Sequence, residues 1–223
     1  MRIAIGMTIG EIVKPETSST IALMAWHIGR KGHNLSYLSE QSAYLDENAN
    51  HIFERAQKFE ADYLMMIETD IDYMGEDDVI GRMIAYNQDA VSGIYYGGKY
   101  PHRPLIHNFT DTPGELFLPG ITPENEAYFM DAVGSGFILL SKNILDAFTP
   151  EVVSELGKPY DFLWKDGKII WRQDLAFCWR LKQLGFKILI DPSIKLGHVK
   201  QQVVTKTHWD LSRNHMEQTG VVV

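Results

Sequence analysis

Three times in its first 88 residues the chain repeats one unit, a short apolar run followed by an amphipathic helical pattern. The runs are Ile3 to Met7, Leu35 to Leu38 and Tyr63 to Ile67. Runs of that length bounded by turn signals read as buried strands. Between the first two, a helix is expected from Thr17 or Ser18 to Lys31, with Ile21, Met24, Ala25 and Ile28 on one face and Gly32 at its end. A second is expected over Leu45 to Glu60, with Ala49, Ile52, Phe53, Ala56 and Phe59 aligned, and a third over Asp77 to Asn87. Such alternation points to an α/β fold, a mostly parallel central sheet flanked by helices.

The second half has no such regularity. Ala90 to Tyr96, Tyr128 to Ala132, Phe137 to Ser141 and Lys187 to Ile190 read as strands, and Lys142 to Phe148 and Asp174 to Leu184 as helices. Lys99 to Gly120 is rich in Pro, His and Gly and reads as a long loop or irregular hairpin. Glu151 to Ile170 reads as surface, and the polar stretch from Gln201 as a mobile tail. The expectation is one domain over 1–223, with a regular half over about 1–88, a smaller mixed-sheet half over about 89–200 and a tail over 201–223.

Composition narrows the partners. A net charge of −8 does not advertise nucleic acid or an anionic membrane. The single cysteine, Cys178, excludes an internal disulfide and reads as inert core. No apolar stretch approaches the ~20 residues of a membrane span, and Met1 to Gly6 does not resemble a signal peptide. A cytoplasmic location is expected.

The third apolar run ends in Glu68-Thr69-Asp70-Ile71-Asp72. Carboxylates at the C-terminal end of a strand lie where open α/β sheets bind ligands. If the strand continued, Asp70 and Asp72 would share a side, and paired carboxylates suit a hard divalent cation. The equal alternative is an acidic turn.

Three segments, in order, resemble the GT-A glycosyltransferases, and glycosyltransferase family 2 in particular. Residues Ala61 to Asp72 are similar to the strand leading into that family's D-x-D motif. Asp131 to Leu140, with Gly134-Ser135-Gly136, resembles its glycine-bearing strand near the acceptor. Gln173 to Arg180, continuing through Asp191-Pro192 to Gly197-His198, resembles its E-D-x-x-F-x-x-R helix, following strand and metal-binding histidine. The chain departs from the pattern at Gln173, where Glu is usual, and at Met7 to Glu11, which lacks Pro-x-Tyr-Asn.

The resemblance implies a metal-dependent, inverting transfer of sugar from a nucleoside diphosphate sugar, UDP-sugar favoured, to a hydroxyl acceptor. It implies Mn²⁺ or Mg²⁺ held by Asp72 and His198, with Asp70 on the ribose or a metal-bound water. Glu68 is then only the end of the strand. Asp174 is the implied general base, although an acidic residue also suits the first turn of any helix. Thr8, Gly10, Glu11, Asn50, Ile71, Gly134 and Ser135 complete the implied nucleotide-sugar contacts. Lys200 and Lys206 form either a closing basic segment or a solvated tail. Saccharide is the implied acceptor, with hydroxymethylated bases of phage DNA as the alternative.

Two other classes compete. A nucleotidyltransferase of similar fold needs a Gly-rich basic loop after the first strand, but Thr8 to Lys14 holds one Gly and one Lys. A non-catalytic nucleotide- or glycan-binding protein would not need Asp72, Asp174 and His198 together.

Overall fold

A computed structural model of the chain describes residues 1–10, 12–99, 101–110, 112, 114–117, 125–200 and 203–219. The first half follows the expected order, with β1 (Arg2–Ile9), α1 (Pro15–Arg30), β2 (Asn34–Gln41), α2 (Leu45–Lys58) and β3 (Tyr63–Glu68). A turn at Thr69-Asp70 separates β3 from β4 (Ile71–Tyr73), and α3 (Val79–Ala85) and β5 (Ala90–Ile94) follow. The irregular half holds β6 (Ile106–Phe109), β7 (Leu116–Phe117), β8 (Tyr128–Met130), β9 (Ala132–Val133) and β10 (Phe137–Ser141). Then come α4 (Lys142–Ala147), α5 (Pro150–Leu156), β11 (Leu163–Lys165), β12 (Lys168–Trp171) and α6 (Gln173–Gln183). The long β13 (Ile188–Val199), β14 (Val203–Val204) and α7 (Lys206–Thr219) end the described chain.

The central sheet runs β14-β13-β5-β10-β3-β1-β2, with β4 and β8 also paired to β13. β2, β1 and β3 are parallel, as are β5 and β13, while β10 runs antiparallel between β3 and β5. This is the mostly parallel, helix-flanked sheet of a GT-A-type fold, with β7-β6-β9 and the β11-β12 hairpin as small antiparallel additions. β1 is buried on both faces, which is why its apolar run is continuous rather than alternating.

Core forms on both faces of the sheet. Ile52, Phe53, Ala56, Leu145, Phe148, Phe177 and Leu181 fill the side under α2, α4 and α6. Met24, Ile28, Val79, Ile80 and Met83 fill the side under α1 and α3. Gly6 lets α2 lie against β1, since a Cβ there would stand 2.3 Å from Ile52 Cγ2.

Two expectations are corrected. The stretch 151–170 is not all surface, because Tyr160 is fully buried and stacks on Phe177 with ring centroids 4.4 Å apart. Arg180, also buried, holds this segment by donating to the carbonyls of Leu156, Pro159 and Asp161. The polar tail is a strand and a helix, and Trp209 of α7 is buried in the core. Among the described side chains of α7, Trp209 is the apolar one that is buried.

Candidate active site

β1 and β3 are in parallel register with Thr8 beside Glu68, so both side chains stand at the C-terminal edge of the sheet. β10 enters the same edge from the opposite direction, and Glu68 N–H donates to the carbonyl of Gly136 at 3.0 Å. The reversed strand therefore delivers Gly134-Ser135-Gly136 to the place where β3 ends. These glycines wrap the Tyr95 hydroxyl, which accepts from Gly136 N–H at 3.1 Å. A Cβ at Gly134 would stand 2.2 Å from that oxygen. Ser135 is left facing α6, and its hydroxyl donates to Asp174 Oδ1 at 2.5 Å.

Asp174 is the second residue of α6, in the first turn, where the helix dipole favours a carboxylate. Burial raises its pKa, and the hydroxyl and N–H of Ser135 oppose the rise. Glu68 is pushed up to about 8, first by burial and then by the charges of Asp174 and Asp70. Two carboxyls that disfavour each other's ionisation share this floor, so one of them retains a proton near neutral pH. Thr8, Leu45, Glu68, Ser135, Gln173 and Asp174 line a small cavity there.

The second cluster lies at the turn after β3. Thr69 carbonyl accepts from Lys14 N–H and from the Thr17 hydroxyl, and Asp70 carbonyl accepts from Val199 N–H at 2.7 Å. So pinned, Asp70 turns its carboxylate toward β13. Its Oδ2 lies 3.5 Å from His198 Nε2 and is ion-paired with Lys200. Burial pushes the pKa of Asp70 up, but His198 and Lys200 outweigh it and hold it below the ordinary value. His198 is 7% exposed. Its Nδ1 lies 2.8 Å from the carbonyl of Tyr96, which makes Nδ1 the donor of that pair and turns Nε2 toward Asp70. Nε2 is buried without a hydrogen-bond partner.

Asp72 is elsewhere. Its Oδ1 accepts from the Thr20 hydroxyl of α1 at 3.4 Å, and burial together with Glu16 raises its pKa. The expected Asp72–His198 pairing is thus replaced by Asp70–His198. The physical reason is the turn at 69–70, which ends the alternation that Asp70 and Asp72 were expected to share. Antiparallel pairing of β4 with β13 then sets Ile71, not Asp72, opposite His198.

Other expected contacts divide. Thr8, Gly134, Ser135 and Asp174 converge on the floor. Gly10 lies beyond β1, where a Cβ would meet Leu45 at 3.2 Å. Ile71 is wholly buried in the core, and Asn50 is engaged inside the fold. The Asn50 Nδ2 donates to Asp161 Oδ1 and its Oδ1 accepts from Tyr160 N–H, both at 2.8 Å. Glu11 lies outside the described residues. Lys206 pairs with Asp210, away from Asp70. Cys178 is buried, its thiol pushed up to about 12, first by burial.

Sequence reasoning set Glu68 aside as the end of the strand and gave Lys200 no carboxylate partner. For Glu68 the signal was present: the apolar run stops at Ile67, so Glu68 is the first carboxylate at the sheet edge, and Glu68-x-Asp70 has the spacing that was assigned to Asp70-x-Asp72.

No protein-family model matches the chain, and no curated protein matches it in sequence. Solved structures do match in fold. The protein A197 from STIV superposes with a TM-score of 0.57 at 13% identity, over 92% of this chain and 94% of that one. A Drosophila β-1,4-galactosyltransferase 7 mutant in complex with manganese, UDP-Gal and xylobiose gives 0.44 at 12% identity, over 89% and 71%. A nucleoside-diphosphate-sugar pyrophosphorylase from Vibrio cholerae gives 0.40 at 12% identity, over 89% and 76%. At such identities the likeness speaks to fold alone. Among the described residues no helix is long and apolar enough to cross a membrane.

Proposed function

We propose that the chain transfers a sugar from a nucleoside diphosphate sugar, UDP-sugar favoured, to a hydroxyl acceptor, preferentially a saccharide, with inversion. The observation that carries this reading is the convergence, at one sheet edge, of an Asp174–Ser135 pair with an Asp70–His198 pair. The first is suited to proton abstraction and the second to a cation.

The residues fit a divalent ion. A buried imidazole nitrogen lacks a hydrogen bond, its ring is oriented through the other nitrogen, and a carboxylate faces it. Asp70 and His198 would hold Mn²⁺ or Mg²⁺, with oxygen ligands from the diphosphate completing the shell. Such an ion supplies neutralisation of charge on the departing diphosphate. Asp174 accepts the acceptor hydroxyl's proton as the new glycosidic bond forms. Ser135 holds the carboxylate's orientation. Glu68 keeps a proton, so that Asp174 stays ionised beside it.

The test is calorimetric and kinetic. Asp70→Asn should weaken UDP binding in Mn²⁺ at least about tenfold, while Asp72→Asn stays within a factor of about 3. Asp174→Asn should bind UDP normally and lose about 10²–10⁴ in transfer rate, the usual worth of a general base. Loss of binding in Asp72→Asn with retention in Asp70→Asn would reverse the metal assignment. Near-normal transfer by Asp174→Asn removes it as the base.

A further inference from the structure

Asp70 already has a cation. The Lys200 ammonium is ion-paired with Oδ2, the same oxygen that lies 3.5 Å from the unpartnered Nε2 of His198. Lys200 is 45% exposed along its side chain and Asp70 17%, so one partner is free to swing and the other is not. The stem of Lys200 lies over Gly98, where a Cβ would stand 2.8 Å from its Cγ and 3.3 Å from its Cε. Any side chain at position 98 would displace it. The backbone beneath is fixed, because Val199 N–H donates to Asp70 carbonyl at 2.7 Å. The position is thus a built seat for a lysine head carried on a flexible stem.

We propose that Lys200 is the resident cation of this site, competing with the divalent ion for Asp70 and passing to the diphosphate when the donor arrives. The inference rests on the donor reading above. A monovalent and a divalent cation on one carboxylate oxygen repel strongly where water is partly excluded. The ion alone therefore binds poorly. A diphosphate gives Lys200 a second anion within reach, frees Asp70, and adds its own oxygens to the ion. Nucleotide and ion then bind with positive coupling, each tightening the other by the same factor. Glu68, which also feels the Lys200 charge, is left beside the vacated seat.

Titration calorimetry of Mn²⁺ alone, and of UDP with and without Mn²⁺, tests this on the whole chain. Lys200→Met should bind Mn²⁺ alone at least about tenfold more tightly than the unmodified chain. It should also bind UDP about tenfold more weakly in chelator, where the ammonium is the available cation. Lys200→Arg, which keeps the charge, should restore weak Mn²⁺ binding. A lost structural role would not tighten an ion site. Equal or weaker Mn²⁺ binding by Lys200→Met overturns the proposal, and so does an absence of Mn²⁺ binding in both proteins. Tightened Mn²⁺ binding with no UDP binding by either protein upholds the competition and overturns the donor reading instead.

Discussion

Asn50→Ala separates a residue that holds the fold from one that reads the nucleotide. Asn50 sits on α2 and reaches the segment after α5, donating to Asp161 Oδ1 and accepting from Tyr160 N–H, each at 2.8 Å. Tyr160 stacks on Phe177, and Asp161 also accepts from Lys158 N–H. Truncation removes one hydrogen bond to a carboxylate, about 1.5–3 kcal/mol, and leaves a buried N–H unpaired, about 1–3 kcal/mol. These share one locus and overlap, so the expected loss is about 3 kcal/mol, or on the order of 10 °C for a domain of this size. Asn50→Asp keeps the acceptor for Tyr160 but sets a second carboxylate against Asp161, and should lose at least as much. Urea denaturation measures the loss, and calorimetry with UDP measures the site. UDP affinity at 20 °C should change less than about threefold in protein that remains folded. Unfolding free energy within about 0.5 kcal/mol of the parent, with UDP affinity down tenfold, would refute the reasoning and return Asn50 to the nucleotide pocket.

Two further outcomes follow from the floor of the site. Glu68 has its pKa raised on folding to about 8, so the folded state keeps a proton that the unfolded chain releases above its ordinary value of 4.5. Stability from this group is present at low pH and is lost as pH rises through that window. Glu68→Gln should therefore match the parent near pH 4 and gain up to about 5 kcal/mol over it by pH 9 in denaturant melts; equal pH profiles would show that Glu68 is not held protonated. Gly136→Ala would set a Cβ 2.8 Å from Tyr95 Oη and 2.9 Å from Glu68 Oε2. It should cost about 1–3 kcal/mol by thermal melting, and a neutral result would mean that the Gly-Ser-Gly turn is not closely wrapped on Tyr95.

What could be read from the chain depended on periodicity. The three repeated units of the first half are periodic, and their strands and helices emerged close to their expected bounds. Periodicity carries no strand direction, so the antiparallel placement of β10 was not legible, and with it the reason that Ser135 meets Asp174. It also misled at the acidic cluster, since a period of 2 holds only while the strand continues. The break lies at Thr69-Asp70, where hydrogen bonds from Lys14, Thr17 and Val199 hold the turn. Those donors come from 52 or more residues away in sequence, so no local pattern records them. Tyr160 and Trp209 illustrate the same limit. Each is one buried aromatic within a polar stretch, and one residue has no period.

The two halves of the site are joined by the residues that extend β5. The Tyr95 hydroxyl accepts from Gly136 N–H, on the side of Ser135 and Asp174, and its ring stands edge-on to His198 with centroids 5.4 Å apart. Tyr96 places its carbonyl against His198 Nδ1. One dipeptide therefore orients both the Gly-Ser-Gly turn beside Asp174 and the imidazole that faces Asp70. Both tyrosines are buried. The spacing between the Asp174–Ser135 pair and the Asp70–His198 pair is thus set by the two residues that directly follow a central strand. The single displacement proposed above would use that rigidity, because a base and a leaving diphosphate must be held on opposite sides of one sugar carbon.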